Sequence, residues 1–347
     1  MSITSIEMIY LKYSTMQFKL IFAFLLFSSF VNAQIQSVEK VTITVSDVDK
    51  VKLFYIEALG AKEIKTTVFK KNELGLLFDI SDPTTEIKIA LLQIGTEFIE
   101  LQSFKGKNIK SLPIPEDSRS NDLWFQHIAI VVPNMQKAFE AIQQKKATYV
   151  STSPQTLPAY LPAASGISAF YFRDPDGHNL EVINFPKGKG NPRWQSDTTM
   201  PFAGIDHTAI GVSNTDAQYK FYKDILGMNI GGHSENYGTE QEHLNQVFGA
   251  RLWITGMQGP KGFGIEFLQY LAPPGGRKYP VNSHVYDLWH WHTTIKVNDI
   301  DSVYKSCMAA KFKLISKGLV SVNNNDISYT KSFMVRDADG HAVLITN

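Results

Sequence analysis

Phe172–Phe185, FRDPDGHNLEVINF, reads as a strand, a tight turn and a second strand. Asp174-Pro175-Asp176-Gly177 has the chemistry of a type I turn, with proline pre-set at the second position and glycine at the fourth. Beyond the turn, Leu180 and Val182 share one face of the strand, while Glu181 and Ile183 share the other. A glutamate in such apolar company must be paired, neutral or bound to a cation, because burying it alone costs too much. The same turn returns at Arg336–Asn347, RDADGHAVLITN, with Leu344 where Glu181 stood.

Working outward, Asn121–Val132 (NDLWFQHIAIVV) matches Tyr286–Val297 (YDLWHWHTTIKV), and Phe54–Gly60 matches Phe221–Gly227. The chain therefore duplicates a half of about 165 residues. Each half divides again. Val41–Val45 is a short strand, followed by a helix that Ser46 caps and Gly60 ends, with Val48, Val51, Tyr55 and Leu59 on one face. Strands follow at Ala61–Phe69, Glu86–Ile94 and Glu97–Phe104. Later units open with strands at His127–Val132, His207–Val212 and His292–Val297. Their helices are expected at Asn134–Lys145, Asn214–Leu226 and Asp299–Lys311, the last capped by Asn298. The pattern is βαβββ four times over, an α+β class, with halves at 37–186 and 204–347 and a Pro/Gly/Lys-rich linker at 187–203. Lys71–Thr85 and Tyr237–Gly249 interrupt equivalent units and are expected to form a short helix or lid.

The chain has 347 residues, but its beginning does not read as part of the fold. Lys19, the apolar run Leu20–Val31 and the ending Val31-Asn32-Ala33 form the n-region, h-region and cleavage site of a secretory signal peptide. The run is too short for a membrane span of ~20 residues, so no membrane association is expected after cleavage. Met1–Thr15 lacks targeting character, which makes Met16 the expected start. The 34 basic and 33 acidic residues nearly balance, and removing 1–33 takes away only Lys12, Lys19 and Glu7. That balance leaves no electrostatic footprint for nucleic acid. Cys307 is the sole cysteine, so no internal disulfide exists. A secreted or periplasmic chain of this length must rely on core burial.

Four βαβββ units, with polar residues in the first and last strands, resemble the vicinal oxygen chelate superfamily of glyoxalases, extradiol dioxygenases, fosfomycin-resistance enzymes and bleomycin-binding proteins. The resemblance runs from about Ser37 to Asn347. It implies that paired units curl into two half-open mixed-sheet barrels, with metal ligands on their first and last strands. Carried over position by position, it implies Lys40 and Glu100, His127 and Glu181, His207 and Glu266, and His292 and Leu344. Lys40 and Leu344 depart from ligand chemistry, so at least one site is incomplete. If unit one pairs with two and three with four, the sets are Glu100, His127, Glu181 and His207, Glu266, His292. If two pairs with three, one barrel holds His127, Glu181, His207 and Glu266, leaving Glu100 and His292 as the second-choice set. The second arrangement concentrates both losses in one barrel and is preferred, although the duplication itself does not discriminate.

Two imidazoles and two carboxylates suit Zn, Ni, Fe or Mn with positions left for two substrate oxygens. The resemblance then implies a secreted glyoxalase-like lyase or isomerase acting on a small substrate with vicinal oxygens through an enediolate. Glu181 or Glu266 would be the base. Alternatives are an extradiol-type dioxygenase using His207, His292 and Glu266 around iron, and a metal-free small-molecule binding protein. Lys40 is expected to neutralise Glu100 where no metal sits. His290 shares a strand face with His292, and His178 and His341 are expected at the rims of their turns. Trp124, Trp289 and Trp291 read as packing, and Arg119, Arg277, Lys187, Lys189 and Arg193 as surface charge.

Overall fold

The computed structural model describes residues 34–196, 200–274 and 276–347, so the expected signal segment, residues 1–33, lies outside the described residues. Unit one contributes β1 (Ile35–Thr44), α1 (Val48–Leu59), β2 (Lys62–Lys70), α2 (Lys71–Leu74), β3 (Glu86–Ile94) and β4 (Glu97–Lys105). Unit two contributes β5 (Gln126–Val131), α3 (Met135–Gln144), β6 (Thr148–Tyr149), β7 (Gln155–Thr156), β8 (Ser168–Arg173) and β9 (Asn179–Asn184). A short 3-10 helix, Pro192–Gln195, stands in the linker. Unit three has β10 (Gly204–Val212), α4 (Thr215–Tyr219), β11 (Asn229–Tyr237), α5 (Thr239–Asn245), β12 (Arg251–Gln258) and β13 (Gly264–Ala272). Unit four has β14 (Trp291–Val297), α6 (Ile300–Ala309), β15 (Val320–Ser321), β16 (Lys331–Arg336) and β17 (Ala342–Thr346).

The strands form two mixed sheets that join units across the halves. One runs β15-β16-β17-β14-β1-β4-β3-β2, combining units four and one. The other runs β11-β12-β13-β10-β5-β9-β8-β6, combining units three and two. At each centre two opening strands pair antiparallel, β1 with β14 and β10 with β5.

The DxDG turns join the units within a half. Asp176 accepts from the Ser46 amide at 2.6 Å and hydroxyl at 2.7 Å. Asp339 does the same for Ser213, at 2.8 and 2.6 Å. Ser46 is therefore not the cap of α1. That role falls to Asp47, which accepts from the amides of Asp49 and Lys50. Likewise Asp299, not Asn298, caps α6. Asp47 reaches further towards the first-turn amides than a serine would, and both aspartates add a charge that suits a helix N-terminus.

Beneath each turn lies a histidine, buried rather than at the rim: His178 and His341 are each 1 % exposed. His178 bonds Asp174 at 2.8 Å and the carbonyls of Thr44 and Leu288 at 2.9 and 2.7 Å, tying together units two, one and four. The third-unit helix also differs from expectation. After Tyr219 it widens into a π-helical turn, Lys220–Ile225, in which adjacent Phe221 and Tyr222 both point into the core.

One apolar core lies between the helices and the sheets, built from Val41, Ile43, Ile128, Ile130, Val182, Ile210 and Ile295 against Tyr55, Ile142, Tyr222 and Val303. The opposite sheet faces differ. In the unit one/four sheet, Leu74, Leu77 and Phe78 of the α2 insertion pack onto Phe69, Ile87, Phe104 and Leu344. Each such side chain contributes about 1.5–3 kcal/mol when fully buried, and only a cavity of about 160 Å³ remains. In the unit two/three sheet, the α5 insertion covers the face with Leu244 and Val247 but leaves a cavity of about 730 Å³.

Candidate metal centre and active site

The register of the unit two/three sheet builds the site. His127 lies opposite Ala209, and Ala209 lies opposite Glu266. His207 lies opposite Ala129, and Ala129 lies opposite Glu181. Side chains directly opposite share a face, so two histidines and two glutamates stand around a floor of two methyl groups. The small floor lets the longer side chains converge. Glu181 Oε2 is 2.9 Å from His127 Nε2 and 3.6 Å from His207 Nε2, and Glu266 Oε2 is 3.3 Å from His207 Nε2. His127, Glu181 and His207 place ligand atoms within 4.8 Å of one another.

These contacts are close but off the line that a hydrogen bond requires: Nε2 of both histidines is buried without a hydrogen-bond partner among the described residues. Imidazole lone pairs aimed at a common point beside a carboxylate are the donor set of a divalent transition-metal ion. The residues therefore fit such an ion.

The four groups differ in their electrostatics. Burial disfavours ionised Glu181, but His127 and His207 beside it hold its pKa down to about 2. Burial raises the pKa of Glu266, helped by Glu181 and Asp206 and opposed by His207. The Glu266 side chain is 30 % exposed towards the cavity, against 5 % for Glu181. Burial lowers the pKa of His127 despite Glu181. For His207 the burial penalty is outweighed by Glu266, Asp206 and Glu181, which hold the pKa well above its usual value.

In the other sheet the same register holds with different residues. Thr42 lies opposite both His292 and Glu100, and Thr294 lies opposite both Lys40 and Leu344. Lys40 Nζ meets Glu100 at 2.6 Å, as its chemistry suggested, and Thr42 donates to the same carboxylate at 3.0 Å. Burial and Lys40 push the His292 pKa down to about 3. His290 reaches His292 at 3.3 Å. The structure thus brings together His127, Glu181, His207 and Glu266, and keeps Glu100 and His292 apart from them. A dioxygenase set of His207, His292 and Glu266 is not assembled, because His292 belongs to the other sheet.

Trp124, Trp289 and Trp291 are buried away from the cavity. Arg277 is bonded to Asp117 and Asp122, and Arg193 to Glu97 at 2.6 Å, so neither is free surface charge. Two cavity residues escaped the sequence reading. Gln241, on α5, is 2 % exposed and its Oε1 has no partner among the described residues. Asp206 lies 3.0 Å from His207 Nδ1. Only the lid insertion hinted at the first; nothing in strand alternation hints at the second.

The sequence profile of the Glyoxalase/Bleomycin resistance protein/Dioxygenase superfamily matches residues 37–182 and 204–345. A 2-epi-5-epi-valiolone epimerase from an Actinomyces species is 29 % identical over 156 residues, covering 44 % of this chain and 81 % of that protein. Glyoxalase I from Zea mays superposes with a TM-score of 0.59 at 18 % identity, covering 90 % of this chain and 92 % of that one. A Bacillus subtilis protein provisionally described as a dioxygenase superposes with a TM-score of 0.53 at 16 % identity, covering 90 % and 85 %. At such identities the superpositions speak to fold.

Proposed function

The chain belongs to the glyoxalase/bleomycin resistance protein/dioxygenase superfamily, and from that premise we propose that it is a divalent-metal-dependent isomerase or lyase of a small hydroxycarbonyl compound. The observation that carries this reading is the convergence of His127, Glu181 and His207 within 4.8 Å of one another, with Glu181, His207 and the neighbouring Glu266 lining the 730 Å³ cavity. His127, Glu181 and His207 would hold the ion. A metal bound there supplies Lewis acidity to a carbonyl and its neighbouring oxygen.

The two carboxylates divide the remaining work by environment. Glu181, enclosed and held anionic by two imidazoles, stays in place as an anchor. Glu266, facing the cavity with its pKa raised, is suited to take a proton from the carbon beside the carbonyl and to return it. Return of that proton to the opposite face of the same carbon is epimerisation and return to the neighbouring carbon is isomerisation, and the Actinomyces relative bears the name of the first kind of activity. The first compound to try is therefore 2-epi-5-epi-valiolone, followed by other α-hydroxyketones. Export with cleavage after Ala33 is part of this proposal, and the mass of the mature protein from its native host tests it.

Metal analysis of the purified protein and exchange of the α-hydrogen in deuterated water test the chemistry. One equivalent of metal, with exchange that Glu266→Gln abolishes while the metal is retained, is the expected outcome. A protein that binds no divalent metal, or a Glu266→Gln variant that exchanges at the native rate, overturns it.

A further inference from the structure

The two histidines are related by the pairing of β5 with β10, yet their surroundings differ. Nδ1 of His127 has no hydrogen-bond partner among the described residues. Nδ1 of His207 faces the Asp206 carboxylate at 3.0 Å. Adjacent residues on a regular strand point to opposite faces, so Asp206 should turn away from His207. It does not, because β10 advances two residues, Ile205 to His207, while β5 advances one, Ile130 to Ala129. Asp206 is the extra residue of a β-bulge, and a bulge re-aims a side chain.

The linker secures that carboxylate. Trp194 donates its indole N–H to Asp206 Oδ1. The Arg193 guanidinium stacks 3.8 Å above the same indole and donates to Glu97 of unit one at 2.6 Å. Glu97 also accepts the Ile205 amide at 2.9 Å, at the start of the bulge. Gly204, with φ +151°, is required there: a Cβ would lie 2.3 Å from Glu97 Oε2 and 3.0 Å from the indole. The equivalent bulge in β1 places Glu39 before Lys40, where no imidazole stands to be oriented.

We propose that Asp206, held by Trp194, is a positioning residue: it fixes the Nδ1–H form of His207 and so presents Nε2 to a divalent cation. The inference rests on the metal-binding reading above. Outer carboxylates of this kind orient a ligating imidazole and raise its basicity, and losing one typically costs 10–100-fold in metal affinity. In this protein the linker between the halves thereby becomes part of the site.

Cobalt(II) is a suitable probe, with affinity measured by competition against a chromophoric chelator and geometry read from its visible absorption. The wild-type protein should bind one equivalent. Asp206→Asn should weaken binding about 10–100-fold and alter the absorption bands. Trp194→Phe, which keeps the carboxylate but removes its donor, should cause a smaller loss in the same direction. A merely structural role would lower Tm and leave the cobalt spectrum of the folded protein unchanged. Wild-type affinity and bands in Asp206→Asn overturn the proposal, and if that variant does not fold, wild-type behaviour in Trp194→Phe does so. Failure of the wild-type protein to bind cobalt overturns the metal reading and this inference together; normal binding that ignores both substitutions overturns only the inference.

Discussion

Replacing Lys40 by methionine tests why one of the two sheet faces should remain metal-free. Its ammonium lies 2.6 Å from Glu100, and the side chains are only 17 % and 14 % exposed. At an effective dielectric near 20, two unit charges at that distance attract by about 6 kcal/mol before desolvation is subtracted. Removing one member of a buried pair costs about 3–5 kcal/mol, because the other charge is left without compensation. Partial exposure puts Lys40→Met near the bottom of that range, about 3 kcal/mol. Glu100→Leu should cost less, since Lys40 can swing its head towards water along its flexible stem. The double variant should recover at least 1 kcal/mol relative to the sum of the two singles, because neither charge then remains. For a chain of this size about 2 °C accompanies each kcal/mol, so Lys40→Met should melt about 6 °C lower. The assay is thermal unfolding of all four proteins at neutral pH and low salt. Strict additivity would show that Lys40 does not stand in for a cation beside Glu100.

His127→Ala and His207→Ala should each abolish stoichiometric metal binding in equilibrium dialysis, whereas His292→Ala should leave it intact; equal losses in all three would place the ion elsewhere. His178 gives a pH signature. Burial opposes its charge, but Asp174 and Asp176 together with the Leu288 carbonyl raise its pKa, so its contribution to stability is complete below the unfolded value of about 6.5 and disappears as pH rises through the folded value. The Tm difference between wild type and His178→Gln should therefore shrink from pH 6 towards pH 9, and parallel curves would refute the assignment. Gln241→Met should keep Tm or raise it, since a buried carbonyl oxygen without a partner among the described residues is removed, while raising KM about tenfold if Gln241 meets a substrate hydroxyl. An unchanged KM would remove Gln241 from the substrate site.

The duplication and the βαβββ order were legible because they rest on repeated local chemistry, whereas the eight first- and last-strand positions came from the family resemblance. The DxDG turns, the Phe-Tyr helices and the alternation around Glu181 recur in sequence and need no tertiary information. The helix caps were misplaced by one residue because Ser46 and Asn298 are acceptable caps in isolation. Only the tertiary structure shows Ser46 committed to Asp176, leaving Asp47 for α1. Asp206 was missed for a related reason. Alternation assigns it to the far face, and one inserted backbone residue reverses that assignment without leaving a mark on residue type.

Which units share a sheet is not a local property, yet the residues contain an argument for it. In the unit two/three sheet each His–Glu pair straddles an alanine, Ala129 or Ala209; in the unit one/four sheet the corresponding residues are Thr42 and Thr294. A methyl floor offers no hydrogen-bond partner to the carboxylates or to the imidazole Nε2 atoms, which are left to one another or to a cation. A threonine floor supplies a hydroxyl, and Thr42 uses its own to satisfy Glu100, which Lys40 has already neutralised. Filling by Phe78 then becomes possible because no lone pair on that face must remain accessible. A leucine at 344, a lysine at 40, the threonine floor and the apolar insertion are thus mutually consistent features. Each makes the others less costly, and together they confine the candidate chemistry to the face where both alanines, both histidines and both glutamates remain.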